Sequence, residues 1–383
     1  MKHITILVLV CCLSGMVWSQ QLAADRAIGQ LEVVATFNGP MPTGVTVAND
    51  GRTFVNFPRW GDNVEYTVAE VKHGKTIPYP NAAINRYGEG DDHSLKLVSV
   101  QSVVVDPAGS RLWILDTGSI SFGPVKPNGG KLLAVDLSTN QIAKKIIFPP
   151  EVALKTTYLN DVRFDLHRGT EGMAFITDSS STGPNGIIVV DLASGKSWRR
   201  LNDHPSTKSD AAFVPVVEGQ ILQMKISGQP PQRFAVGADG IAISPDGKTL
   251  YYCPLTSRHL YSVSVDALAD QAKSDAEVAA TVRDLGEKGG ASDGLESDAE
   301  GRVYLSDYEH DAVRRRSVAG EIETLLHDPR VLWPDTLSLA TDGYLYFTAN
   351  QIERGAGFHD GHDLRQKPYV LFRVKVDGTR IHQ

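Results

Sequence analysis

Six residues of this 383-residue chain stand at matching points of a recurring phrase, and each carries an oxygen-bearing side chain: Thr43, Gln101, Asn160, Asp239, Asp293 and Asp335. Three are carboxylates from successive repeats. Like charges that converge either raise one another's pKa or recruit a cation. A hard divalent ion such as Ca²⁺ takes carboxylate and amide oxygens in a loose cage. Asn160, Asp239, Asp293 and Asp335 are therefore the candidate ligands of a divalent cation, and Asp293 is the candidate catalytic base if the site is an active one. The bland alternative is that Asp-Gly and Asn-Asp pairs start strands through local side-chain-to-backbone bonds. It accounts for any single position, but less well for six polar choices in register.

A second set follows each repeat: Asp116-Thr117-Gly118, Asp178-Ser179, Asp307-Tyr308 and Asn350, with Phe57-Pro58-Arg59-Trp60 at the matching place in the first. Acidic and aromatic groups around one opening suit a small amine, phenol or sugar-like ligand. Thr43, Trp60, Gln101, Asp116, Asp178, Asp307, Tyr308 and Asn350 are the candidate ligand-binding residues. Asp after a strand is also an ordinary turn residue. The stretch 358–363 (FHDGHD) has two His three apart, but lacks a fourth ligand at fixed spacing and reads as a solvated loop. No Gly-x-Ser-x-Gly elbow, phosphate-binding Gly loop or paired Cys motif occurs.

The elements that must position these residues are hairpins. The repeats are 45–57 (VTVANDGRTFVNF), 103–116 (VVVDPAGSRLWILD), 162–178 (VRFDLHRGTEGMAFITD), 241–254 (IAISPDGKTLYYCP), 295–307 (LESDAEGRVYLSD) and 337–349 (LSLATDGYLYFTA). Each joins a short alternating strand to an aromatic, β-branched one through a turn rich in Asp and Gly. Third strands follow at 132–137, 186–192, 259–265, 312–318 and 371–376. More polar fourth strands follow at 144–148, 197–201 and 322–325. Four antiparallel strands restarting at such intervals make blades, so the fold class is all-β, a six-bladed propeller. The last blade runs out of chain after its third strand. The strand at 31–37 (LEVVATF) precedes the first repeat and is expected to complete that blade, closing the ring. No linker interrupts 20–383, which reads as one domain. Residues 204–234 read as a surface excursion, and 267–280 as room for one short helix.

Residues 1–19 read as a secretory signal peptide: Lys2 and His3, an apolar run, then small residues before Gln20. The expected location is secreted or periplasmic, with no membrane attachment after cleavage. Of three cysteines only Cys253 follows that segment, in a strand pattern that makes it a buried small hydrophobe. The net charge of -7, with no basic stripe, argues against nucleic acid as a partner. A small molecule is the expected partner, and the repeats suggest a monomer.

The sequence resembles the major royal jelly protein/yellow family in its shorter bacterial form, over nearly the whole chain after residue 19. The residues that carry the resemblance are 112–118 (LWILDTG), 132–137 (LLAVDL), 159–162 (LNDV), 186–192 (GIIVVDL), 239–263 and 367–374 (KPYVLFRV). It implies a secreted six-bladed propeller. A more distant likeness is to the gluconolactonase/senescence-marker family, propellers that hold a divalent ion at the channel mouth. Carried across by motif, Asn160 matches an Asn ligand and Asp293, in Ser-Asp-Gly-Leu, matches the Asp ligand. Asp239 stands where Asn is usual, and Thr43 stands where Glu is expected.

Two functions follow. One is an exported binder of a small polar or aromatic ligand at the channel mouth; insect relatives that bind biogenic amines or act on dopachrome make a tautomerase-like activity a variant of it. The other is a divalent-metal-dependent lactonase that uses the mouth carboxylates. The absence of a strong nucleophile–base pair favours the first, and the converging carboxylates favour the second.

Overall fold

The computed structural model describes residues 30–383, so the expected signal segment lies outside the described residues. Six four-stranded antiparallel sheets are arranged as blades around one axis. Their innermost strands are Val45–Val47, Val100–Val105, Leu159–Asp165, Ala238–Ile243, Leu295–Ser297 and Pro334–Leu339. Each packs against the next, and the sixth packs against the first. The strand Glu32–Phe37 lies outermost in the sixth blade and pairs antiparallel with Tyr369–Lys375, Phe37 opposite Tyr369. The two ends of the ring are thereby hydrogen-bonded, as the orphan strand implied.

Six apolar clusters fill the interfaces between blades, because alternation turns one face of each sheet toward its neighbour. Between the second and third blades, for example, Trp113 packs on Phe164 with ring centroids 5.1 Å apart. Cys253 is wholly buried with Ala242, Leu295 and Leu305 between the fourth and fifth blades.

Two excursions hold more structure than the sequence reading expects. Residues 204–234 are the surface excursion expected, but an ordered one: they form two small hairpins, Val216–Val217 with Gln220–Ile221 and Gln223–Met224 with Gln232–Arg233. Phe213, Val217, Leu222 and Phe234 pack on Leu255, Tyr308, Trp333 and Phe358 of the fourth to sixth blades. The apolar residues at 213, 217 and 222 do not alternate, which hid this seventh core from a period-2 reading. Residues 267–280 lie within a stretch of two short helices, Val265–Ala269 and Asp275–Ala279, the second opened by a capping box of Ser274 and Glu277.

The tail after the last strand crosses the opposite mouth of the channel. Ala299 N donates to Thr379 O at 2.8 Å. Arg380 donates from Nη1 to Val47 O at 2.7 Å and from Nη2 to Val105 O at 2.8 Å. Leu166 N donates to Gln383 Oε1 at 2.7 Å. One tail thus ties the fifth, first, second and third blades.

The seam between the chain ends is testable. Phe37 is buried and meets the Phe57 ring edge-on at 5.7 Å. Phe37→Ala is expected to lower stability by about 3–5 kcal/mol, as for other buried Phe truncations. Urea unfolding followed by tryptophan fluorescence measures it.

Candidate functional site

The polar residues at the channel mouth are placed by irregularities in the inner strands. Register slips between Val100 and Ser102, Leu159 and Val162, Ala238 and Ile241, and Pro334 and Leu337. Gln101, Asn160, Asp239 and Asp335 therefore sit in β-bulges inside the first turn of the strand rather than before it. A bulge re-aims a side chain, here toward the axis. Gly240 and Gly294 permit the close approach: a Cβ at Gly240 would lie 2.4 Å from Asp293 O, and one at Gly294 would lie 2.3 Å from Asp335 O. The Asp-Gly pairs are thus required for packing blade on blade at the axis.

Side chains on second strands hold several of these bulges. Asn56 Nδ2 donates to Thr43 Oγ1 at 2.8 Å and to Gln101 O at 2.9 Å. Thr177 Oγ1 donates to Asp239 O at 2.6 Å, and Thr348 Oγ1 donates to Thr43 O at 2.5 Å. Ser306 Oγ accepts from Asp293 N and Gly294 N, both at 3.0 Å. The Cys253 thiol reaches Ser292 O at 3.8 Å. Sequence reasoning missed this set, although its signal was present: a small polar residue recurs at or next to the end of the second strand.

Gln101, Ser102, Asn160, Asp161, Asp239, Asp293, Asp335 and Thr336 line a cavity of about 10 Å³, room for one occupant of water or ammonium size. Asn160 Nδ2 donates to Asp239 Oδ1 at 2.6 Å, Trp333 Nε1 to Asp293 Oδ2 at 2.7 Å, and Asn350 Nδ2 to Asp335 Oδ2 at 2.7 Å. Asp293 lies near enough to Asp239 and Asp335 for each to affect the others' ionisation. Burial, then the charge of Asp293, pushes Asp239 and Asp335 well above the usual carboxylate range; burial pushes Asp293 up to about 6. No guanidinium or ammonium is among the lining residues, so the cavity is a place for a proton or a cationic guest.

The oxygen set has the chemistry a hard cation needs. The carboxyls are nevertheless engaged by the Asn160 and Asn350 amides and the Trp333 indole. Among the described residues no three His, Cys, Asp or Glu side chains surround a common point as metal ligands. As arranged, the cluster fits a shared proton or an N–H guest better than a coordinated metal.

The structure divides the remaining candidates. Thr43 is wholly buried, its hydroxyl taken by Asn56 Nδ2 and Gln101 O, and it does not line the cavity. Asp116, Asp178 and Asp307 are not in the cavity lining but frame the blades from within. Asp116 accepts from Val98 N at 2.7 Å and from Lys131 Nζ at 2.7 Å. Asp178 accepts from Tyr158 N and from Arg199 Nη2, both at 2.9 Å. Asp307 accepts from Arg314 Nε at 2.5 Å. A carboxylate already holding a cation and backbone N–H groups has little left for a ligand. Tyr308 is also wholly buried, stacked on Trp333 at 4.1 Å beneath the 204–234 cap.

The cap covers one half of the mouth. On the other half Trp60, Phe122 and Tyr158 form an aromatic group. Trp60 stacks on Phe122 at 4.9 Å, and Phe122 lies 4.8 Å from Tyr158. Trp60 Nε1 donates to Tyr158 Oη at 2.7 Å, and Tyr158 Oη donates to Gln101 Oε1 at 3.1 Å. Phe122 is 61% exposed and has φ of 58°, an unusual state for a bulky residue. Phe122 and Tyr158 were not among the sequence candidates; neither stands at a repeat position.

Residues 98–376 match the family described as Major royal jelly protein. The chain belongs to the major royal jelly protein family. Within that family, Protein yellow of Drosophila guanche is 27% identical over 263 residues, covering 66% of this chain and 43% of its own length. Protein yellow of Drosophila melanogaster is 26% identical over 250 residues, covering 61% of this chain and 43% of its own. The chain thus spans less than half the length of these relatives. Solved structures share the fold: a putative gluconolactonase (TM-score 0.56, 12% identity, 94% of this chain and 97% of that one) and the calcium-binding protein regucalcin from Agrobacterium tumefaciens (0.53, 15%, 94% and 100%). Among the described residues no helix is long and apolar enough to cross a membrane.

The cap rests on an acidic contact of its own. Glu353 is 3% exposed, and neither carboxyl oxygen has a hydrogen-bond partner. Burial, Glu218 of the cap and Asp311 push it up to about 8, against Arg354 at 3.8 Å. A raised folded-state pKa stabilises fully below the unfolded value near 4.5, and that contribution is lost as pH rises through 8. Glu353→Gln should therefore gain stability relative to wild type between pH 5 and 8, by at most about 1.4 kcal/mol per pH unit. Urea midpoints across that range check it; parallel curves for the two proteins would refute it.

Proposed function

We propose that this chain is an exported binding protein for a small aromatic amine, held at the open half of the channel mouth. The observation that carries this reading is the exposed Phe122, stacked on Trp60 and joined through Tyr158 to Gln101 in the wall of an acidic cavity. The cavity has room for an ammonium head only, so the ring of such a ligand would lie outside it, against Phe122 and Trp60. The ring of such a ligand would stack on the phenyl and indole faces, while its ammonium, beside buried carboxyls, gains from charge. Asp293, the least perturbed of the three carboxyls, would carry the counter-charge. The signal-peptide pattern of residues 1–19 supports export; a tautomerase-like activity on such ligands is a variant that needs no further site.

The alternative places Ca²⁺ or another divalent ion among Asn160, Asp239, Asp293 and Asp335, in a lactonase. Its support is that three buried carboxyls face one another without a cation of the chain, and that the fold is shared with a putative gluconolactonase.

Titration with dopamine and serotonin, followed by tryptophan fluorescence, tests the first reading. Saturable binding is expected, weakened at least ten-fold by Trp60→Ala and by Asp293→Asn, the second chiefly above pH 6. Stoichiometric divalent metal in the purified protein, lost on Asp293→Asn together with lactone hydrolysis, would overturn it.

A further inference from the structure

The far mouth of the channel holds a second cavity. It measures about 60 Å³ and is lined by Thr46, Arg163, Glu296, Ser297, Ser338 and Arg380, among others. Arg163 is 7% exposed and projects into the channel from the third blade. Its Nη1 donates to Asp161 Oδ2 at 2.9 Å and to Val162 O at 2.8 Å, and its Nη2 donates to Leu295 O at 2.6 Å. Its Nε, buried, donates to nothing. A buried charged donor left without an acceptor is costly.

Arg380 reaches the same cavity from the tail that crosses the mouth, and burial lowers its pKa while Glu296 and Asp106 raise it. Glu296 is the carboxyl in the wall; it accepts from Ser297 N at 2.8 Å, and burial raises its pKa. Two guanidiniums therefore line the cavity against one carboxyl, with Asp161 on the far side of Arg163.

We infer that the cavity between Arg163 and the Arg380 tail is a binding site for a small carboxylate-type oxyanion. A planar two-oxygen edge matches the edge of a guanidinium, and 60 Å³, on the scale where one water needs roughly 10–15 Å³, leaves room for a group of a few heavy atoms such as formate, bicarbonate or acetate. Larger organic acids are excluded by Val104, Phe164, Leu339 and Ile381 in the wall. The site is separate from the amine site at the opposite mouth and does not depend on it.

Isothermal titration of the whole protein with sodium formate, acetate and bicarbonate, at constant ionic strength in sodium chloride, tests the inference. One-site binding is expected, at least ten-fold weaker in Arg163→Gln and in Ser338→Leu, which fills the cavity. Ser338→Leu keeps the test decisive if Arg163→Gln fails to fold. No binding of any of the three ions by the wild-type protein up to 50 mM, about the limit for a site weaker than millimolar, would show that water alone fills the cavity and overturn the inference. Binding that is indifferent to Ser338→Leu but lost in Trp60→Ala would place the anion at the other mouth and overturn it as well.

Discussion

Six blades meet on one axis only if their inner strands approach backbone to backbone, and the hydrogen bonds at that approach govern everything above it. Side chains at the ends of second strands (Asn56, Thr177, Cys253 and Thr348) reach carbonyls at the start of an inner strand in the next blade. Gly240 and Gly294 remove the Cβ atoms that would hold the fourth, fifth and sixth blades apart. With the backbones that close, the side chains on the bulges have nowhere to go but the axis. The acidic cavity is thus a product of ring closure, and its polarity answers the unsatisfied groups that bulges create.

The ring itself was legible in the sequence because blades are built from local hairpins whose turns and alternation are written in consecutive residues. The closing strand Glu32–Phe37 was legible for a related reason, since the last blade ran out of chain after its third strand and an unassigned strand stood before the first repeat. The six register positions located the cavity, and five of them, all but Thr43, line it. Asp116, Asp178 and Asp307 recur just as regularly, but recurrence alone cannot separate a residue that frames every blade from one that serves a single site. Their cationic partners, Lys131, Arg199 and Arg314, lie fifteen, twenty-one and seven residues further along and belong to no shared motif. Phe122 and Tyr158 were invisible because an aromatic surface made on one side of a pseudo-symmetric ring must come from what the repeats do not share.

The two mouths have been closed by different means. At one, the 204–234 cap covers the fourth to sixth blades with apolar contacts and leaves the aromatic half open. At the other, the tail spans the floor through guanidinium and backbone hydrogen bonds. Between them the axis passes from the carboxyls of Asp239, Asp293 and Asp335, through the Asp161–Arg163 ion pair, to Glu296 and Arg380. A ring of hydrophobic interfaces with a polar axis keeps each blade interchangeable in its packing and distinct in its chemistry.

The seam in the sixth blade also shapes how the molecule forms. Glu32 and Arg373 are 341 residues apart in the chain and touch in the folded protein. During synthesis the early blades can stack as they emerge, because their contacts are between neighbours in sequence. The strand that leads the chain must wait unpaired, its edge exposed, until the final hairpin arrives. Closing so long a loop delays the last step and makes the leading strand the segment most open to pairing with another copy in the meantime.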